Sequence, residues 1–216
     1  MKDLLRRTTG FTLIEIVVVL AVLGALAAAL TPVAFSYLRD ARIAQAQNDV
    51  NQIASAIGSF LKHTGVPPYK NTTSADKIQA KETADFDCLY GSQGLGFTGA
   101  DDLTSGTSWA TCYATSVTRD TIENHLITNT PGASGTKAYK TTGKTQWEGP
   151  YLPAIDPDPW GRPYLVNIKQ IDPAAPTPKG AWVMSAGPNG QLETAFDQNA
   201  GTAITAVGDD LIARVK

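Results

Sequence analysis

Thr9-Gly10-Phe11-Thr12-Leu13-Ile14-Glu15 opens an apolar run that continues to Leu38. The 28 residues from Phe11 to Leu38 carry one charge, Glu15. That is longer than the roughly 20 residues a helix needs to cross a bilayer core. A lone carboxylate inside such a span costs at least about 2.5–3.5 kcal/mol on insertion scales, so Glu15 reads as a functional group in need of a partner. Residues 1–10 ahead of it hold Lys2, Arg6 and Arg7 and no apolar core of their own, which makes them a short positive leader. On the residues alone two cleavage positions are open. Ala27-Ala28-Ala29 would serve a peptidase that cuts after the hydrophobic stretch, whereas a cut between Gly10 and Phe11 would leave the apolar helix on the mature chain.

Beyond Leu38 the apolar residues Ile43, Ala46, Val50, Ile53, Ile57, Phe60 and Leu61 recur at three- and four-residue spacing between polar neighbours. This periodicity predicts that the helix continues, now amphipathic, to about His63, where Gly65 and Pro67-Pro68 end it. Read from Thr12 to His63 the element is on the order of 75–80 Å long, the first half suited to lipid and the second to a soluble core.

The string Gly10-Phe11-Thr12-Leu13-Ile14-Glu15 resembles the prepilin signature of the type IV pilin and type II secretion pseudopilin superfamily. The resemblance implies cleavage between Gly10 and Phe11 by a prepilin peptidase, N-methylation of Phe11, and storage of the subunit in the bacterial inner membrane. It also implies a homopolymer filament in which Glu15 of one chain pairs with the new terminal ammonium of its neighbour, fixing the axial register. Such a pair is strong because screening inside an apolar core is weak. Gly24 and Pro32 bracket a stretch that, by the same resemblance, loosens on assembly; helix breakers are also simply common in transmembrane helices.

A second resemblance starts at Trp147-Glu148-Gly149-Pro150-Tyr151-Leu152 and continues through Asp158-Pro159-Trp160-Gly161-Arg162-Pro163-Tyr164. The pattern W-x-G-P-Y-L then D-P-W-G-x-P-Y is similar to that of the type II secretion major pseudopilin. Its physical content is a proline-fixed turn whose Trp160 and Tyr164 are expected to bury area against the first helix. Strands are predicted at 164–168, 181–185 and 210–215, forming a small antiparallel sheet. The fold class is therefore α+β, a pilin-like ladle: a long N-terminal helix, transmembrane in its first half, packed on that sheet. The expected organisation is a leader over 1–10, a transmembrane and filament-core helix over 11–38, and its amphipathic half over 39–63. A variable loop-rich insertion over 64–145 follows, then the sheet and C-terminal loop over 146–216. Within the insertion one short helix is expected around Arg119 to Ile127, and Asn71-Thr72-Thr73 matches a glycosylation sequon by chance.

Cys88 and Cys112 are the only cysteines, and both lie past the membrane on the side that a positive leader leaves facing the periplasm. An oxidising compartment predicts a disulfide between them, worth roughly 3–4 kcal/mol in the entropic treatment; two structural thiols are the alternative. The only histidines, His63 and His125, read as surface residues with no catalytic part. Removing the leader leaves 15 basic against 19 acidic residues, a formal charge of −4, which argues against nucleic acid as a partner.

The C-terminal segment carries Ser185-Ala-Gly-Pro-Asn-Gly190, then Glu193 and Gly208-Asp209-Asp210. In the resembling pseudopilins this loop wraps a Ca²⁺ ion, which takes hard carboxylate, amide and backbone oxygens. The resemblance implies Asp209 and Asp210 as ligands, with Asn189 and Glu193 behind them; Asn189 stands where an acid is frequent, and in the alternative these residues only cap turns.

The expected function is a structural subunit of a type II secretion pseudopilus and not an enzyme. It would be a single-pass inner-membrane protein with its C-terminal domain in the periplasm, working with an assembly platform and minor pseudopilins. The alternative is a type IV pilin of a surface filament for adhesion, motility or DNA uptake, favoured by the chain's length and its cysteines. A membrane-anchored periplasmic enzyme finds no support in nucleophile–base or metal-ligand spacing.

Overall fold

The computed structural model describes residues 10–68, 88–93, 109, 119–133, 138–171, 180–195 and 205–215. Cys112 and the sequon at Asn71 lie outside them. The chain divides into two units, Met1–Arg42 and Ile43–Lys216.

Helix α1 spans Leu13–Thr64 and includes Pro32 without interruption. A proline there deprives one carbonyl of its amide partner; nearby, the Thr31 hydroxyl donates to the Ala27 carbonyl at 2.6 Å. The stretch from Gly24 to Pro32 is thus helical in the single chain. Every residue from Gly10 to Arg42 is exposed, including Phe35 and Tyr37. This part of α1 is long and apolar enough to span a bilayer. The helix stops at Gly65, whose φ of +69° is the left-handed conformation that glycine adopts freely and whose N–H donates to Leu61 O at 2.9 Å.

In the second unit the apolar stripe of α1 is buried, with Val50, Ile57 and Phe60 fully enclosed. Each such side chain contributes about 1.5–3 kcal/mol by leaving water. They pack on a five-stranded sheet built from β1 (Cys88–Tyr90), β2 (Arg119–Thr121), β3 (Leu165–Val166), β4 (Trp182–Ser185) and β5 (Leu211–Arg214). The spatial order is β2-β1-β3-β4-β5. Period-two alternation divides its side chains. Leu89, Val166, Val183 and Ala213 face α1, while Cys88, Leu165, Trp182 and Met184 form a second core with Trp109, Ala186 and Leu192.

Four expectations need correction. The sheet is mixed: β1 and β2 pair in parallel, Cys88 against Arg119 and Tyr90 against Thr121, while the remaining pairs are antiparallel. It also begins earlier than residue 146, because β1 and β2 come from the 64–145 block. The helix expected over 119–127 is the shorter α2 (Ile122–Leu126), with Thr121 as its N-cap; the residues before it go to the sheet. Trp160 is only half-buried and belongs to neither core. Tyr164 does meet the expectation. It is buried and its hydroxyl donates to Asp49 on α1 at 2.9 Å. Burial, then the hydrogen bond and charge of Asp49, then the charges of Asp158 and Asp156 push that phenol's pKa upward.

Candidate functional site

At the start of α1, Thr12 and Glu15 satisfy one another. The Glu15 amide donates to Thr12 Oγ1 at 3.3 Å, and Glu15 Oε2 accepts from the Thr12 amide at 3.4 Å and its hydroxyl at 3.3 Å. This is a capping box, in which two of the orphan donors at a helix start find side-chain partners. In the single chain Glu15 is therefore held by its own helix terminus. The Thr12-x-x-Glu15 spacing carries this signal, and the sequence reading assigned no part to Thr12. Gly10 and Phe11 are exposed immediately ahead, outside the helix.

At the C-terminal end the structure brings Asn189, Glu193, Asp209 and Asp210 together across two loops. The Asn189 amide donates to Asp209 Oδ2 at 2.9 Å and its Nδ2 to Glu193 Oε2 at 3.3 Å. Glu193 Oε2 also accepts from the Asp209 amide at 3.3 Å. Asp210 Oδ2 takes the amides of Glu193 and Thr194 at 2.9 and 2.6 Å. The loops approach so closely that a Cβ at Gly187 would collide with the Asp209 carbonyl, and one at Gly208 with the Glu193 carboxylate.

Within this cluster the four residues differ in what they have left to offer. Asn189 Oδ1 is occupied by the Gln191 amide at 2.7 Å. Asp209 Oδ1 and Asp210 Oδ1 are buried and have no hydrogen-bond partner among the described residues. Burial raises the Asp210 carboxyl above its usual range, with the Glu193 charge adding to the effect and the bonds from Thr194 and Glu193 opposing it. Among the described residues no three acidic, histidine or cysteine side chains form a ready metal cage. The buried side-chain oxygens of this cluster left without a hydrogen-bond partner among the described residues are Asp209 Oδ1 and Asp210 Oδ1, hard carboxylate donors of the kind Ca²⁺ takes. Glu193 and Asn189 serve as cross-links between the loops.

Behind this loop sits the Asp158–Arg162 turn. Asp158 is buried; its Oδ1 accepts from the amides of Trp160 and Arg162 at 3.0 and 2.8 Å, and its Oδ2 from the Ser185 hydroxyl at 2.7 Å. Trp160 thus lends its backbone to the turn while its ring stays half in solvent, which is why it misses the core.

His125 corrects another expectation, because it is fully buried and not at the surface. Its Nδ1 shares a 2.6 Å hydrogen bond with the Tyr139 hydroxyl, and its Nε2 stands 2.9 Å from Asp120 Oδ2. His63 lies near the surface, 3.5 Å from Glu148. Asp120 is drawn on further by the Asn124 side-chain amide at 2.6 Å and the Gly132 N–H at 2.7 Å. Burial by itself would raise the Asp120 carboxyl; the bond and charge of His125 with these donors outweigh it and hold the carboxyl below 3.8. A depressed pKa stabilises the fold above the unfolded-state value, and that stability is lost as pH falls through the folded-state value. The expected result is that the stability gap between the parent and Asp120→Asn is constant above about pH 5 and shrinks as acid melts proceed below pH 3.8. A gap independent of pH would show that the carboxylate charge contributes nothing.

Cys88 is buried at the head of β1. Its expected partner Cys112 lies outside the described residues, so the Cys88–Cys112 bridge stays a proposal.

Comparison with known proteins bears on the N-terminal element. Residues 5–31 match the prokaryotic N-terminal methylation motif. Over 55 residues, 26% of this chain, the sequence is 42% identical to the type II secretion system core protein G of Pseudomonas aeruginosa. The match spans 39% of that relative's length. No solved structure matches the chain. Motif, apolar helix and relative together support a pilin or pseudopilin type of subunit anchored in a membrane by one helix.

Proposed function

We propose that the chain is the major structural subunit of a type II secretion pseudopilus. It is cut between Gly10 and Phe11 by a prepilin peptidase, methylated at Phe11, and held in the inner membrane with residues 43–216 in the periplasm. The observation that carries the reading is the methylation motif at the head of an apolar helix that is exposed as far as Arg42 and packs on a sheet in its later turns. An exposed apolar surface of that length is stable only in lipid or against copies of itself. Growth of the filament from an inner-membrane platform, with minor pseudopilins, does the work of export, and no bond chemistry is assigned to this chain. The similarity to core protein G over 55 residues is what supports the secretion reading. Deleting the gene separates the two. Loss of a defined set of exported proteins with surface fibres intact supports the reading, whereas loss of fibres, adhesion or DNA uptake with secretion unchanged replaces it by a type IV pilin.

The reading extends to the acidic loops, where we infer a structural Ca²⁺ held by Asp209 and Asp210. When bound, the ion neutralises carboxylates whose burial otherwise opposes folding. Adding Ca²⁺ to chelator-treated protein at about a hundred times the dissociation constant should stabilise it by about 2.7 kcal/mol. Asp209→Ala and Asp210→Ala should abolish the response. Melting that ignores chelator in the parent removes the metal from the proposal.

A further inference from the structure

Arg162 lies outside the carboxylate cluster, yet its guanidinium covers the face of the Gly187–Gly190 turn. The guanidinium lies against the Gly190 backbone, within contact distance of where a Cβ would stand, and the φ of +74° favours glycine at that position. Arg162 Nη1 also donates to the Gly187 carbonyl at 3.4 Å. The other side of the same residue is tied as well: the Gly187 amide donates to Ser185 Oγ at 3.2 Å, whose hydroxyl donates to Asp158 Oδ2. Asp158 in turn fixes the backbone of Arg162, accepting its amide at 2.8 Å and donating its own amide to the Arg162 carbonyl at 2.8 Å. Two residues beyond Gly187, the Asn189 amide reaches the Asp209 carboxylate at 2.9 Å. A closed path therefore runs from the proline-fixed turn through Gly187 to Asp209.

We propose that Arg162 is a positioning residue for cation binding: its planar fork clamps the Gly187–Gly190 turn so that Asp209 is held with one oxygen bonded and the other open to the ion. This rests on the calcium reading of Asp209 and Asp210 given above. A guanidinium beside a cation site has two opposed effects, since its charge repels the ion while its fork orders the loop that presents the ligands. The contact over Gly190 and the bond to the Gly187 carbonyl are the observations on which the ordering effect rests. Groups that orient ligands without touching the metal typically govern affinity by tenfold to a hundredfold.

The test uses the full chain in detergent micelles, titrated with Ca²⁺ alone by calorimetry, in the parent and in Arg162→Lys and Arg162→Gln. Lysine keeps the charge and loses the fork; glutamine loses both. Both variants are expected to bind roughly tenfold or more weakly. In the metal-free state the amides of Asn189 and Gly190 should exchange hydrogen faster than in the parent. Should the glutamine variant fail to fold, the lysine variant carries the comparison. Parent-like affinity and exchange in both variants overturn the role of Arg162 and leave the calcium site standing. Tighter binding by the glutamine variant with lysine unchanged also overturns it, because the guanidinium would then act only as a repelling charge. A parent chain that binds no Ca²⁺ overturns the calcium reading and this inference with it.

Discussion

Glu15→Ala leaves the chain folded from Ile43 onward, keeps it in the membrane and stops filament growth. Residues 10–42 are exposed, so nothing in the packed core depends on Glu15. Insertion becomes easier, because the variant no longer carries a carboxylate into lipid. What disappears is the proposed pairing partner of the new Phe11 ammonium. Removing one member of a pair in an apolar medium leaves the other uncompensated, a penalty that raises the critical concentration for polymerisation on the order of a hundredfold or more. The capping box supplies the control. Glutamine at the third position of the helix can still reach back to the Thr12 amide, so Glu15→Gln keeps the cap and loses only the charge. Filament yield should be as low in Glu15→Gln as in Glu15→Ala, measured by shearing and by crosslinking of assembled subunits. Recovery in the glutamine variant would mean that Glu15 matters through its helix cap, and the charge-pairing account would have to be abandoned.

In the single chain the Glu15 charge is shared with the amide and hydroxyl of Thr12. Under the assembly proposed above, the neighbour's ammonium would replace that partner with a stronger, ionised one. The contacts to Thr12, at 3.3–3.4 Å, are long for hydrogen bonds.

Much of this architecture is legible in the sequence, and the reasons are local. Helix α1 repeats its apolar spacing over many turns, so the pattern accumulates, and Gly65 marks its end; the Thr12–Glu15 spacing that caps its start was passed over. Strands β3, β4 and β5 sit in runs of aromatic and branched residues bounded by glycine and proline. The polar strand β2, Arg119-Asp120-Thr121, has too few residues to show alternation and owes its place to backbone pairing with β1. His125 looked like a surface residue because its burial depends on Asp120 and on Tyr139, 14 positions away, which no periodicity connects. At the candidate cation site Asp209, Asp210, Asn189 and Glu193 come from the resemblance to pseudopilins, and the structure brings them together across two loops. Arg162 was not legible, since its contact with Gly187 crosses 25 residues of sequence and is created only when β3 and β4 pair.

Asp158→Ala is expected to be the most damaging single change in the turn, costing about 3–5 kcal/mol. The carboxylate is almost fully buried and serves three donors: the amides of Trp160 and Arg162 and the Ser185 hydroxyl. Alanine strands all three, and hydrogen bonds to a charged acceptor are worth more than neutral ones. Asp158→Asn should cost less, about 1–2 kcal/mol, because one carbonyl oxygen can still accept both amides. Its new NH₂ group, however, faces a Ser185 hydroxyl that already accepts from Gly187, so the serine must turn. Exposed Asp156 provides the comparison, with Asp156→Ala expected to stay within about 0.5 kcal/mol of the parent. Urea melts of the three variants in detergent would rank them. If Asp158→Ala fell within about 1 kcal/mol of the parent, the turn would be held by its prolines and not by the carboxylate, and the path from Asp158 through Gly187 to Asp209 would lose its anchor.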